Sequence, residues 1–170
     1  KIKQPILITQ HMPATFTTLL SQHLNWLAGV ECVEASDGEE IRLGRVYLAP
    51  GGYHMVAERK AGGAVLRLNQ EAQENFCRPS VDPMLRSVVE VYGERVLTVI
   101  LTGMGHDGLR GAQAMVEKGG TLIAQDEGSS VVWGMPGAVA TGGLCSAVLP
   151  IDKIGPTIIR LANGGAHDTA

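Results

Sequence analysis

The chain alternates between short apolar runs rich in β-branched residues and longer stretches in which apolar residues recur every three or four positions. The short runs predict strands, and the longer stretches predict amphipathic helices. Their alternation along the whole chain is typical of an α/β domain with a mostly parallel sheet flanked by helices. The first helical stretch follows Pro13, and its apolar residues share one face: Phe16, Leu19, Leu20, Leu24 and Leu27.

Residues 96–101 carry the strongest strand signal, a nearly continuous apolar run of the kind found in a central parallel strand buried on both faces. Residues 53–58 and 64–68 flank Gly62 and Gly63, which predicts an antiparallel hairpin because glycine tolerates the positive φ of a tight turn. Ser80 is a suitable N-cap for a helix that ends at Gly93. The other predicted elements are strands at 5–9, 46–48 and 121–125 and helices at 108–118, from Pro136, and at 152–162.

These elements predict one domain over residues 1–163 and a flexible tail over 164–170, where glycine and small polar residues dominate. A length of 170 residues with 45% hydrophobic residues is enough for one sizeable core. The net charge of −3, without a basic stripe, argues against nucleic acid as a partner. No apolar run approaches the roughly 20 residues of a transmembrane helix, so membrane insertion is not expected.

The cysteines and histidines show no spacing that predicts a disulfide or metal site. Cys32, Cys77 and Cys145 are odd in number and far apart, which argues against a disulfide framework or a structural zinc site and fits a reducing cytoplasm. No H-E-x-x-H motif occurs, so no metal is expected. Most histidines are dispersed along the chain: His23, His54, His106 and His167.

Two loops that follow predicted strands are candidates for chemistry, because the carboxyl ends of parallel strands meet at one edge of a sheet. His11 lies in the first loop and Asp107 in the second. A histidine suits general-base catalysis, and a carboxylate bound to its other ring nitrogen orients it. We expect the two side chains to lie at the carboxyl edge within hydrogen-bond reach. Structural alternatives remain open: His11 pairs with a backbone group, or Asp107 caps the following helix.

Three glycines, Gly103, Gly105 and Gly108, let the second loop approach a bound group closely, as an oxyanion or phosphate site requires. They match G-x-G-x-x-G formally, but the acidic residue expected about 20 positions later in a dinucleotide site is not evident. The chain also has no serine in a G-x-S-x-G elbow. A base and its orienting acid are therefore predicted without an evident nucleophile.

Six short blocks occur in an order that resembles chemotaxis protein-glutamate methylesterases, the CheB-type response regulators. The first is Ile-Thr-Gln-His-Met-Pro at 8–13, and the longest is Ile-Leu-Thr-Gly-Met-Gly-His-Asp-Gly at 100–108. The others lie at 47–51, 54–55, 78–82 and 133–136. The resemblance extends over nearly the whole chain and makes the catalytic interpretation of His11 and Asp107 the favoured one.

The resemblance implies a Rossmann-like, doubly wound α/β fold and a cytoplasmic serine hydrolase. Such an enzyme hydrolyses glutamyl methyl esters, and in many members deamidates glutamines, on the cytoplasmic helices of bacterial chemoreceptors. By motif, His11 is implied to be the general base and Asp107 its orienting carboxylate, with Met104 and Gly105 supporting the oxyanion site. No cofactor is implied.

The family's serine lies in a Ser-Thr-Gly-Gly loop before the part of the protein that this chain covers. We therefore expect one strand, that loop and one helix to precede Lys1, and we expect residues 1–170 alone to be inactive. The expected partners are methylated chemoreceptor cytoplasmic domains and an N-terminal receiver domain phosphorylated by a histidine kinase in a two-component system.

Two other functions stay open from the sequence. One is a non-catalytic receptor-binding or partner-binding domain that keeps the fold without a nucleophile. The other is a nucleotide-binding α/β domain, which would need nucleotide retention at the loop that contains Gly103.

Overall fold

The computed structural model describes residues 2–165. Its strands are β1 (Ile6–Ile8), β2 (Cys32–Glu34), β3 (Val46–Leu48), β4 (His54–Lys60), β5 (Gly63–Asn69), β6 (Leu97–Ile100), β7 (Thr121–Gln125) and β8 (Ala147–Leu149). Its helices are α1 (Ala14–Ala28), α2 (Val81–Tyr92), α3 (Leu109–Glu117), α4 (Met135–Thr141) and α5 (Ile151–Ala162).

The strands of the described residues form two parallel sheets and one antiparallel pair. The first sheet has the order β1-β3-β2 and the second the order β6-β7-β8, with every pairing parallel. Strands β4 and β5 form the expected antiparallel hairpin, with Lys60 opposite Gly63 at the turn. The α/β class and the hairpin are thus confirmed. The last five residues of the expected tail, 166–170, lie outside the described residues.

The expectation that residues 96–101 form a central strand buried on both faces was wrong for the described residues. β6 lies at an edge of its sheet, and its side chains alternate between half-buried and buried. The middle strand is β7, in which Leu122, Ile123 and Ala124 are fully buried. Strands β2 and β8 were not predicted.

Helix α1 includes all of its expected apolar positions, but most of its apolar face is exposed in the described residues. The side chains that it buries are polar, Thr17 and Ser21. Phe16 and Trp26 are exposed to 54% and 81%, and Leu19 and Leu27 are also exposed. Tertiary contacts, and not the helical period alone, therefore decide which face of α1 meets the sheet.

The start of α1 is held against the loop after β3 by a glycine. A Cβ atom on Gly51 would overlap the backbone of Pro13 and Ala14, so only glycine permits this close approach. The Gly51 N–H donates to the Thr17 hydroxyl at 2.9 Å, which explains why this threonine is buried. The contact fixes the loop that carries His11.

No helix of the described residues is long and apolar enough to cross a membrane.

Candidate active site

His11 and Asp107 meet at the carboxyl ends of β1 and β6. The Nε2 atom of His11 lies 2.6 Å from Oδ2 of Asp107. The His11 side chain is 27% exposed and the Asp107 side chain 2% exposed, so the imidazole reaches solvent while the carboxylate lies beneath it. The predicted proximity of the two side chains is confirmed, and the partner of the His11 ring is a carboxylate and not a backbone group.

Asp107 is surrounded by hydrogen-bond donors. Besides His11, the Val81 N–H donates to Oδ2 at 2.7 Å. The other carboxylate oxygen, Oδ1, accepts three further hydrogen bonds, from Ser80 Oγ at 2.7 Å, Asn75 Nδ2 at 2.9 Å and the Asp82 N–H at 3.2 Å. A buried carboxylate with both oxygens satisfied in this way is held ionised and in one orientation.

The pKa of Asp107 reflects a competition between burial and these donors. Burial, the largest single influence, raises the pKa because it removes water from the charged form. The hydrogen bonds from His11 and from the start of α2 together outweigh it and lower the pKa from an ordinary 3.8 to about 2. Asp107 is therefore a carboxylate throughout the physiological pH range. Since an ionised carboxylate only accepts, His11 Nε2 carries the proton of their hydrogen bond.

Asp107 and Asp82 each accept hydrogen bonds from backbone N–H groups at the start of a neighbouring helix. Asp107, which precedes α3, accepts N–H groups from the first turn of α2. Asp82, in the first turn of α2, accepts the Gly111 N–H of α3 at 2.7 Å. The N-cap of α3 is Gly108, so the hypothesis that Asp107 caps the following helix was wrong. Each carboxylate instead lies near the positive end of the other helix, which favours its charge.

With Nε2 engaged, Nδ1 is the ring nitrogen of His11 that remains to act on a substrate or nucleophile. The carboxylate selects the tautomer in which Nδ1 is unprotonated and so can accept a proton. It also stabilises the imidazolium that forms when Nδ1 takes a proton. This arrangement suits a general base in acyl transfer.

The glycine-containing loop after β6 forms one wall of the site. Gly103 pairs with residues beyond β7, since its N–H donates to the Val132 carbonyl at 3.0 Å and its carbonyl accepts the Met135 N–H at 2.8 Å. Gly105 has a φ of 85°, a conformation that glycine adopts readily. Met104 between them is 82% exposed. Met104 and Gly105 are both exposed, and they lie in the same loop as Asp107.

The other histidines of residues 2–165 take no part in the hydrogen bond between His11 and Asp107. His54 is buried and structural: its Nδ1 accepts the Ser80 N–H at 3.2 Å, and its Nε2 lies 3.0 Å from the Ala72 carbonyl. His23 and His106 are exposed, and His167 lies outside the described residues.

Cys77 lies beside the catalytic candidates. Its sulfur is within 4.8 Å of a His11 ring nitrogen and an Asp107 oxygen, the one grouping in residues 2–165 close enough to share a metal ion. Both oxygens of Asp107 already accept hydrogen bonds, so the geometry fits a hydrogen-bonded pair better than a metal site. Burial, followed by the charge of Asp107, raises the pKa of the Cys77 thiol, which keeps it protonated and poorly nucleophilic. All three cysteines are free.

The supporting residues of the site were mostly missed from the sequence. Ser80 is the N-cap residue of α2 as predicted, but its hydroxyl donates to Asp107 instead of making a capping bond, and nothing in the sequence indicated that contact. Asn75, which donates to both Asp82 and Asp107, had no periodic signal because it lies in a loop. The block at 78–82 was the one sequence signal that pointed to this region.

Comparison with known proteins gives consistent results. The family model described as CheB methylesterase matches residues 1–158. The chain is 65% identical over 161 residues to a protein-glutamate methylesterase/protein-glutamine glutaminase of Paramagnetospirillum magneticum, and 58% identical over 166 residues to one of Azospirillum brasilense. These alignments cover 95% and 97% of this chain but 42% of each relative, so the chain spans about two-fifths of their length.

A solved structure agrees with these sequence matches. The CheB methylesterase catalytic domain of Thermotoga maritima superposes with a TM-score of 0.92 at 40% identity, covering 94% of this chain and 85% of that domain. At that identity and TM-score the two chains share the fold. The chain belongs to the CheB methylesterase family.

Proposed function

We propose that the full-length protein hydrolyses glutamyl methyl esters on bacterial chemoreceptors, and deamidates receptor glutamines, by a serine-hydrolase mechanism. The observation that carries the proposal is the hydrogen bond between His11 and the buried, ionised Asp107 at the carboxyl edge of the sheets. The names of the similar proteins from Paramagnetospirillum magneticum and Azospirillum brasilense support this choice of substrate.

The chemistry follows from the orientation of His11. A serine hydroxyl attacks the ester carbonyl while Nδ1 takes its proton, and the imidazolium then returns that proton to the departing methanol. Water repeats the sequence on the acyl-enzyme, releasing the glutamate carboxyl group and regenerating serine. Because only the leaving group differs, with ammonia in place of methanol, the same base serves both ester and amide.

The nucleophile is proposed to come from a strand, a Ser-Thr-Gly-Gly loop and a helix elsewhere in the polypeptide. Within the described residues, β1 and β6 are both sheet edges, and their carboxyl ends meet at His11 and Asp107. A parallel strand between these edges would join the two sheets and deliver its following loop to His11. The helix after that loop would cover the exposed apolar face of α1.

Met104 and Gly105 are proposed to support the oxyanion of the tetrahedral intermediate. Both lie in the loop after β6, which the hydrogen bonds of Gly103 hold against the residues at the start of α4. An oxyanion site requires preorganised N–H donors near the reacting carbonyl, and loops of this type supply them.

Regulation is proposed to involve a receiver domain, phosphorylated by a histidine kinase, in the part of the protein outside this chain. The relatives are long enough for such a domain, since this chain covers 42% of them. Phosphorylation would then control access to the site.

Methanol release from a methylated receptor tests the proposed function. The full-length protein should release methanol, and the His11→Ala variant should lose nearly all activity because the base is gone. Replacing the serine of the Ser-Thr-Gly-Gly loop by alanine should have the same effect, and residues 1–170 alone should be inactive.

Two results would contradict the proposal in different ways. Receptor binding without any methanol release by the wild type would favour a non-catalytic binding domain. Full activity of the serine variant would show that the nucleophile has been placed wrongly.

A further inference from the structure

A tight turn beside the catalytic pair holds an aromatic residue in an unfavourable conformation. Glu74 and Cys77 form an isolated antiparallel bridge, with N–H to carbonyl distances of 3.2 Å and 2.9 Å. The two residues between them, Asn75 and Phe76, have φ values of 52° and 62°. Positive φ at both central positions is the mark of a type I′ turn.

Phe76 is poorly suited to its place in this turn. The second central position of a type I′ turn strongly favours glycine, and a bulky aromatic residue at positive φ is strained. Its side chain is 95% exposed, so burial contributes nothing to offset the strain. Asn75 and Phe76 are the two non-glycine residues with positive φ in residues 2–165. Strain of this kind tends to persist where function requires it.

The turn is anchored on both sides to the active site and to α2. Asn75 Nδ2 donates to Asp107 and to Asp82, each at 2.9 Å. The Cys77 sulfur lies within 4.8 Å of the His11 and Asp107 polar atoms. Glu74 forms an ion pair with Arg86 of α2, with Oε2 3.0 Å from Nη1. Phe76 thus lies beside the site, between Asn75, which donates to Asp107, and Cys77, whose sulfur is within 4.8 Å of His11.

We propose that Phe76 is a specificity-determining residue that contacts an apolar side chain on the receptor helix that carries the ester. The contact rests on the proposed methylesterase function. On a helix, side chains three or four positions from the esterified glutamate lie on the same face, so an apolar one can meet an aromatic group beside the site. Burial of Phe76 on binding would supply the stabilisation that it lacks in the free protein.

The test compares steady-state kinetics of full-length variants on methylated receptor. Phe76→Gly removes the ring and suits the positive φ, so the thermal midpoint should not fall, while KM should rise about tenfold with kcat nearly unchanged. Phe76→Leu keeps an apolar group and should retain most of the affinity. Leu43→Ala, which removes another exposed apolar side chain at the amino end of β3, on the edge of the sheet opposite His11, should leave both constants unchanged.

The possible results separate this proposal from the proposed function. Absence of methanol release by the wild type would contradict the function itself. An unchanged KM in Phe76→Gly, or a fall in kcat alone, would overturn the contact, the latter because the turn would then act through Asp107. A rise in activity without phosphorylation, at constant KM, would also overturn it, since Phe76 would then pack against another part of the same protein.

Discussion

Asp107 remains charged in a position where burial alone would favour its neutral form. Its side chain is 2% exposed, yet its pKa is lowered to about 2, because donors from His11 and from the first turn of α2 outweigh the loss of water. The same donors hold the carboxylate against Nε2, which leaves Nδ1 as the basic nitrogen. At the scale of single residues, the tautomer of His11 is therefore set by the buried Asp107 carboxylate and by the donors from α2 that hold it.

Asp107 should make the stability of the protein depend on pH in acid. Its folded pKa of about 2 lies below the ordinary 3.8, so its contribution is present in full above about pH 4 and is lost as pH falls through 2. The difference in unfolding free energy between wild type and Asp107→Asn should be smaller at pH 2 than at pH 5 by about 2 kcal/mol. Denaturant titrations at both pH values measure it. Glu71→Gln, at an exposed carboxylate, is the control and should show no comparable change.

His11 and Asp107 should behave as one catalytic unit in the full-length protein. Asp107→Asn preserves size but favours the wrong imidazole tautomer, a change that lowers turnover by about 10⁴ in an unrelated triad. The double variant with His11→Ala should be hardly slower than His11→Ala alone, because effects within one unit are not additive. Methanol release by the two single variants and the double variant checks this. If Asp107→Asn stays folded and retains wild-type turnover, Asp107 has only a structural role.

At the scale of elements, the packing of helices α2 and α3 positions Asp107 in the site. Asp107, before α3, accepts N–H groups of α2, and Asp82 of α2 accepts the Gly111 N–H of α3. These reciprocal hydrogen bonds require the helices to be close: a Cβ on Gly111 would lie 2.7 Å from Leu85 Cβ and 3.0 Å from the Asp82 carbonyl. Close packing of the helices and the orientation of Asp107 are thus linked.

Gly111→Ala should separate the two helices and weaken both stability and activity. Overpacking of this kind typically costs about 1–3 kcal/mol in unfolding free energy, and here it also moves Asp82 and the turn that contacts Asp107. Chemical denaturation and methanol release measure the two effects. Arg110→Ala, at the exposed neighbouring position, should change stability by less than about 0.5 kcal/mol. Equal stability of the two variants would show that the helix contact is not tight.

Over the whole molecule, the edges of the sheets at β1 and β6 face no further strand among the described residues, and the apolar face of α1 is largely exposed. The Ile6 N–H donates to the Arg45 carbonyl on the side of β3, and the Val96 carbonyl accepts the Thr121 N–H of β7. Alternation along a strand then directs the N–H groups of Leu7 and Val99 towards the open edges. A mostly apolar groove is lined by residues that include Ile6 of β1, Val46 of β3, Ala28 of α1 and Ile159 of α5.

Amide hydrogen exchange tests the proposed inserted strand. In the full-length protein, the Leu7 and Val99 amides should exchange slowly because the strand accepts their hydrogen bonds. In residues 1–170 alone they should exchange quickly, while the Ile123 amide of the middle strand β7 stays protected and reports that the fold is intact. Fast exchange of Leu7 and Val99 in both proteins would contradict the insertion.

Much of the local structure was predictable from the sequence, because it depends on short-range patterns. Strand β7 was predicted with its bounds, and the Gly62–Gly63 hairpin and the end of α2 at Gly93 followed from the preferences of glycine. The loops that carry His11 and Asp107 could be identified because each follows a strand, and parallel strands end at one edge. The sequence blocks also identified the family.

Other features required the tertiary structure, because they join residues far apart in the chain. The period of α1 defines an apolar face, but contacts with β2 and Gly51 decide that Thr17 is buried and Trp26 exposed. The apolar run at β6 indicates a buried strand, but pairing places it at an edge of the described sheet. A cap for α3 was the alternative interpretation of Asp107, yet this residue accepts N–H groups of α2, some 25 residues earlier. A local pattern specifies which side chains are apolar or can form hydrogen bonds, whereas only packing determines which partners they meet.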